Sequence, residues 1–309
     1  MPTRSPLQRY PSSKEGAESA LLSVDTPQTA SASYRLSYTD IDFLNREELR
    51  PVRLQLELLK PEMLMKEHGI DATVVVFGGS RIPEEREASE RLAQAEQQAA
   101  ASPGDPGCAQ RLAIARRVLA KSHYYDEARK LGAMLSKVYH RRSCRNLVVI
   151  TGGGPGIMEA ANRGARDVGA KTMGLNIVLP HEQAPNAYIT PELCFQFHYF
   201  SLRKMHFLMR AQALIAFPGG FGTLDELFET LTLVQTKKIQ PLPILLFGRE
   251  FWQKLINFDF LVEEGVISPG DLDIFKFVET AEEAVDIVEK FYAQDTEDRR
   301  VGDRRARPR

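Results

Sequence analysis

The strongest constraint on architecture is a unit that recurs along the chain: a short apolar run, a turn, then a helix-like stretch. LVVIT (147–151) passes through GGGPG into IMEAANRGARD, and ALIAF (213–217) passes through PGGFG into TLDELFETLTLVQTKK (223–238). ATVVVFGGS (72–80), KTMGLNIVL (171–179), ELCFQF (192–197), PILLF (243–247) and IFKFV (274–278) supply five further strands. These runs lack the regular polar alternation of a sheet with one wet face, and helices separate most of them. The expectation is an α/β fold, a parallel sheet covered by helices on both faces.

The rest of the chain is placed around that sheet. Residues 1–37 are rich in Ser, Pro, Ala, Thr and Gln and are expected to be disordered. Thr39 or Asp40 can cap an N-terminal helical extension that Pro51 and Pro61 should interrupt and Gly69 should stop. Residues 84–101 form a polar, alanine-rich helix broken by SPGDPG, and one long helix is expected from about 108 to 141. Two helices exceed what a crossover needs, so 84–107 is taken as a helical insertion. REFWQKLINFDFLVEEG (249–265) is expected as one helix, and AEEAVDIVEKFYAQ (281–294) closes a domain spanning 38–294. The tail 295–309 mixes both charge signs, and its six arginines are expected to be solvated.

Composition excludes several functions. Net charge is −1 over 309 residues, which gives no field for a nucleic acid or an anionic membrane. Apolar runs such as LVVI and ILLF are far too short to span a bilayer. The N-terminus lacks the apolar core of a secretory signal, so a cytoplasmic location is expected. The three cysteines, Cys108, Cys144 and Cys194, are scattered and form no CxxC, so neither a disulfide framework nor a metal site is expected.

The two glycine loops carry the chemistry. Each lies where a strand ends and a helix begins, at the carboxyl edge where open α/β sheets bind ligands. Glycine lets the backbone approach a ligand closely, and the unpaired N–H groups of the following helix favour an anion. Gly153, Gly154, Gly156 and Met158 of the first loop, and Gly219, Gly220, Gly222 and Thr223 of the second, are therefore candidate contacts for a phosphate. Neither loop fits GxGxxG, because Ile157 and Asp225 occupy the third glycine place, and the chain has no GK dipeptide. A mononucleotide or sugar phosphate fits better than a dinucleotide or ATP. Glu226 falls in the first turn after the second loop. Arg203 and Lys204 fall near the start of the helix before ALIAF, which places Arg203 to meet Glu226 across one crevice. Asp225 should point about 100° away from Glu226 on the helix. His198 and His206 have no partner at metal-ligand spacing and are expected to take packing or surface roles.

In this order and spacing, GGGPGIMEAANRGA, then FSLRK, then PGGFGTLDE resembles the LONELY GUY family, whose members often carry the misleading name lysine decarboxylase. The resemblance runs from about residue 72 to 292. It implies a Rossmann-like fold and a phosphoribohydrolase that cleaves the N-glycosidic bond of a nucleoside 5′-monophosphate, such as AMP or a cytokinin riboside monophosphate. The products are the free base and ribose 5-phosphate. The family's catalytic arginine falls on Arg203 and its glutamate on Glu226. Its substrate contacts fall on Lys204, on Gly219 to Glu226 and on Thr232, with a further glutamate on Glu182. No cofactor is implied, and a homo-oligomer is. YFSLRK departs from the DMHxRK-like stretch of plant members, which bears on base preference more than on the reaction. A pyridoxal phosphate enzyme would need a Schiff-base lysine, and nothing singles one out. The rival class is a carrier: molybdenum-cofactor carrier proteins share the fold and hold a phosphorylated ligand without turnover.

Overall fold

The computed structural model describes residues 10–21, 25–141, 147–180 and 184–306, with 138–141 and 294–306 described by their backbone alone. The chain divides into two compact units, Met1–Leu59 and Lys60–Arg309. In the first, within the stretch expected to be disordered, helix α1 (Ser13–Ala20) is described. Its Ser12–Glu15 capping box satisfies two otherwise orphan N–H groups. Asp40 caps the short α2 (Ile41–Leu44) through the Phe43 N–H. The guanidinium of Arg53 donates to the carbonyl oxygens of Leu44 and Arg46.

Helix α3 (Arg50–Glu67) starts in the first unit and runs without a break past Pro61, contrary to the sequence expectation. A proline inside a helix removes one backbone hydrogen bond and crowds the carbonyl one turn before it. Here the loss is offset by burial of Pro61 itself and of Met65 one turn on. Gly69, at φ 68°, ends the run as expected.

The second unit is built on a seven-stranded parallel sheet. Its strands are β1 (Ala72–Phe77), β2 (Leu147–Thr151), β3 (Thr172–Ile177), β4 (Cys194–Phe197), β5 (Ala211–Ala216), β6 (Ile244–Phe247) and β7 (Phe275–Val278). Their order is β4-β3-β2-β1-β5-β6-β7, and every neighbouring pair is parallel. This is the open Rossmann-like sheet. Its order reverses at β1, and the connection to β2 leaves on one side and β5 lies on the other.

The remaining helices are α4 (Glu85–Ala101), α5 (Pro106–Leu119), α6 (His123–Arg141), α7 (Ile157–Asp167), α8 (Phe200–Met209), α9 (Phe221–Gln235), α10 (Arg249–Leu255), α11 (Phe258–Glu263) and α12 (Ala281–Ala306). Alternate residues of β1 show how they divide. Val74 and Val76 enter a core with Leu131 and Leu135 of α6, Ala161 of α7 and Val288 of α12. Val75 and Phe77 enter a second core with Phe207 of α8, Leu227 of α9 and Trp252 of α10. Full burial of such a side chain contributes about 1.5–3 kcal/mol, and the one polar residue of β1, Thr73, is buried with them.

Two single helices expected from sequence are each divided. Residues 108–141 break between α5 and α6, where the Ser122 hydroxyl and N–H both donate to the Leu119 carbonyl. The turn lets α6 send Tyr125, Ala128, Leu131 and Leu135 into the core while α5 packs on α4. The stretch 249–265 breaks between α10 and α11, where the Asn257 side chain caps α11 by accepting from the Phe260 N–H at 3.1 Å. Among the described residues no helix is long and apolar enough to cross a membrane.

Candidate functional site

Three glycine turns, not two, meet at the carboxyl edge. The third follows β1, and Gly79 joins the others. Its N–H donates to the Pro218 carbonyl at 2.9 Å, and its own carbonyl accepts from the Ile157 N–H at 3.3 Å. The first loop (152–156) and the second (218–222) therefore share one residue as a support. Gly156 sits at φ 70°, and a Cβ there would fall 2.5 Å from the Gly79 carbonyl oxygen. Only glycine meets both conditions at this point. In the second loop, Gly220 and Gly222 have open space where a Cβ would be. Helix α9 starts there with no side-chain cap, leaving its first N–H groups for an anion.

The first loop is held by buried polar groups. Asn162 on α7, wholly buried at 0% exposure, accepts from the Thr151 hydroxyl at 2.7 Å and from the Asn186 amide at 2.9 Å. Its own amide donates to the Thr172 hydroxyl oxygen at 2.5 Å and to the Met173 carbonyl at 3.3 Å. Thr151 accepts in turn from the Gly153 N–H at 3.0 Å, and Asn186 donates to the carbonyls of Gly153 and Gly154. Buried donors and acceptors left without partners cost about 1–3 kcal/mol each. Asn162→Ala is expected to lower stability by roughly 2–4 kcal/mol, read as a fall in the denaturant midpoint.

Arg203 and Glu226 face the same loops. The Arg203 Nε donates to the Leu175 carbonyl at 2.8 Å, its guanidinium lies 5.2 Å above the Phe207 ring, and one terminal nitrogen reaches 2.8 Å from the Cβ position of Gly152. The Met158 sulfur lies beside that same position, so Arg203 and Met158 together floor the first loop. Glu226 is 5% exposed. Burial pushes its carboxyl up to about 7, against the pull of Lys204 and Arg203. Burial also lowers the Arg203 guanidinium, which the Glu226 charge partly restores. The two sense each other electrostatically without a direct hydrogen bond. Lys204 makes ion pairs with Asp225 at 3.0 Å and Glu229 at 3.1 Å, which ties α8 to α9. Asp225 and Glu226 do diverge: the first is taken by Lys204 on the outside, and the second is buried.

Similarity to known proteins fits this arrangement. A family model described as "Possible lysine decarboxylase" matches residues 158–288. Cytokinin riboside 5′-monophosphate phosphoribohydrolase LOG3 of Arabidopsis thaliana is 32% identical over 176 residues, which is 55% of this chain and 77% of the relative. The chain belongs to the LONELY GUY family. LOG1 of Arabidopsis thaliana, named for the same activity, is 31% identical over 55% of this chain and 78% of that relative. Among solved structures, the molybdenum cofactor carrier protein of Chlamydomonas reinhardtii aligns with a TM-score of 0.43 at 16% identity, covering 72% of this chain and 99% of that one. The fold class rests on the strand order itself.

Of the residues singled out from sequence in this LONELY GUY member, Gly153, Gly154, Gly156, Met158, Arg203, Gly219, Gly220, Gly222, Thr223 and Glu226 gather at one sheet edge. Lys204 stands beside them, engaged by its two carboxylates. Thr232 does not join them: its hydroxyl donates to the Phe228 carbonyl on the exposed side of α9. It lines an open apolar hollow there with Phe221 and Phe228. Glu182 lies outside the described residues. His206 is buried beside the Phe197 ring, with Glu62 at 3.5 Å, in a packing position. Gly79, Asn162 and Asn186 were not anticipated. For Asn162 a signal existed, a polar residue on the face of α7 that otherwise carries Ile157, Ala161 and Ala165 into the core. Among the described residues, no group of three His, Cys, Asp or Glu is placed to hold a metal ion.

Proposed function

We propose that the chain hydrolyses the N-glycosidic bond of a nucleoside 5′-monophosphate, AMP or a cytokinin riboside monophosphate, releasing the base and ribose 5-phosphate. The observation that carries this reading is the buried Glu226 carboxyl, poised near neutrality and coupled to Arg203 at the sheet edge that bears the two glycine loops. Cleavage builds positive charge on the ribose ring, as in glycoside hydrolysis. In this reading the ionised Glu226 stabilises that charge and takes a proton from the water that attacks the anomeric carbon. Arg203 orients the ribose and balances the carboxylate. The glycine N–H groups and Thr223 hold the 5′-phosphate, and that remote binding energy positions the reacting carbon.

Incubation with AMP, cytokinin riboside monophosphates and other nucleoside monophosphates, followed by chromatography of free base, tests the proposal. The carrier alternative predicts tight binding of a phosphorylated ligand and no base release. It also gives a buried carboxyl near neutrality no task. The homo-oligomer implied by the family resemblance belongs to the same proposal and is tested by sedimentation.

A pH dependence follows from the carboxyl. Activity requires the ionised form, and the group ionises near 7. The rate constant kcat/KM is therefore expected to rise with pH through an inflection at about 7, instead of the 4 to 5 of an ordinary glutamate. A profile already flat above pH 5 would remove Glu226 from the proton-transfer role.

A further inference from the structure

Arg203 stands near the head of α8, and the tail of that helix is held by a residue from outside the family match. Arg203, His206 and Arg210 follow one another at i, i+3 and i+7 through α8 and its C-cap, which places them along one face. The Arg210 guanidinium donates to both carboxylate oxygens of Glu62, one of the two bonds at 2.7 Å. The His206 Nδ1 lies 3.5 Å from the same carboxylate, and its buried ring lies 5.4 Å from that of Phe197. Glu62 belongs to α3, whose residues from Lys60 onward are part of the second unit. It lies well before the 158–288 match, and the nucleotide reading above makes no use of it.

The contacts fix direction as well as distance. An arginine fork on a carboxylate is held in plane by two parallel bonds. The hydrogen bonds from Arg210 keep the Glu62 carboxyl below the ordinary glutamate value, so the pair is charged at neutral pH. Pro61 and Met65, to either side of Glu62, are buried, and the carboxylate is thus carried by a packed stretch of backbone. The Arg210 carbonyl accepts from the Thr73 N–H at 2.9 Å, which ties the same residue to the start of β1. Along α8, Phe207 packs edge-on to Phe77 of β1 with ring centroids 4.7 Å apart, and the Arg203 guanidinium lies over the Phe207 ring. A slip of α8 by one residue would carry Arg203 about 1.5 Å along the axis and turn it about 100°. The contacts at Arg210 and His206 oppose that slip, and with it any displacement of Arg203 from Gly152 and Glu226.

We infer that Glu62 is a positioning residue for Arg203, acting through Arg210 and His206 on the setting of α8. Its catalytic consequence rests on the hydrolase reading, and its effect on Glu226 does not. Glu62→Gln, which keeps the shape and removes the charge, forms a double-mutant cycle with Arg203→Ala. The first readout is ionisation of the Glu226 carboxyl, followed by carbon-13 NMR of the full chain without substrate, on the resonance that Glu226→Gln removes. Burial holds this ionisation near 7 against the pull of Lys204 and Arg203, with Glu229 and Asp225 adding to it. Loss of a negative charge at Glu62 would by itself ease ionisation and lower the value. Displacement of Arg203 raises it. Glu62→Gln is expected to ionise at higher pH than wild type, and to add nothing when Arg203→Ala is already present. An unmoved or lowered value, or an equal rise without Arg203, overturns the proposal. The second readout is base release. Glu62→Gln is expected to lose about tenfold in kcat with KM changed by less than about twofold, and to cost nothing further on Arg203→Ala. Additive losses overturn the proposal. Should Glu62→Gln not fold, Arg210→Lys, which keeps the charge and loses the fork, is read in the same cycle. Absence of base release from wild type would remove the hydrolase reading and leave the NMR cycle to decide the role of Glu62.

Discussion

Glu226→Gln is expected to reduce release of free base from the preferred nucleoside monophosphate by about 10²–10⁴-fold, the usual contribution of a positioned acid–base group. Binding of the substrate should change far less, because glutamine keeps the shape and the phosphate contacts lie elsewhere. Near-normal turnover by this variant would place the chemistry on another group. The same substitution should make the protein more stable. The folded chain holds the Glu226 proton up to about 7, whereas the unfolded chain releases it near the ordinary value of about 4.5. Between those two pH values the folded state binds more protons, so stability falls as pH rises. Above about 7 the buried ionised carboxylate costs the native state about 3 kcal/mol in full. Glutamine has no such slope. The Tm advantage of Glu226→Gln should therefore be small at about pH 5 and large at about pH 8. Thermal melts at the two pH values check this without any substrate.

Arg203→Ala is the second large effect, a loss of about 10²-fold or more in kcat/KM. The side chain is committed from both ends, since its Nε is fixed by the Leu175 carbonyl and its tip lies against Gly152. Lysine cannot satisfy both, so Arg203→Lys should recover little. The pH profile distinguishes an electrostatic role from a packing one. Arg203 holds the Glu226 carboxyl below where burial alone would put it. Its removal should move the rising limb of the kcat/KM profile upward in pH. A variant that lost rate with an unmoved inflection would show that Arg203 acts on the substrate alone.

The sheet was legible from sequence because its strands are short, largely apolar runs set between helix-like stretches, and β1, β2, β5 and β6 each feed both cores. The glycine loops were legible for a similar reason, since so many adjacent glycines disfavour every regular element. What did not show was how the loops are held. The support from Gly79 depends on β1 lying between β2 and β5, and strand order is a long-range property that local pattern does not carry. Asn162, Thr151, Thr172 and Asn186 form one buried network, yet they are spread over 36 positions of the sequence. Helix boundaries were misjudged where a single side chain decides them. Ser122 and Asn257 end or restart helices through one side-chain hydrogen bond each, against a background that favours continuation.

The position of β1 has a mechanical consequence. With one strand between the strands that bear the two loops, their separation is two strand spacings, about 10 Å. That gap is set by the ladder of backbone hydrogen bonds on either side of β1 and by the Gly79 peptide, not by any side chain in the cleft. The frame thus fixes the span between the two loops, the opening that the ribose phosphate of the proposed reaction has to fit. On the proposed function, residues that touch the base can be exchanged without altering the opening, so selectivity among bases and the geometry of bond cleavage are free to vary separately.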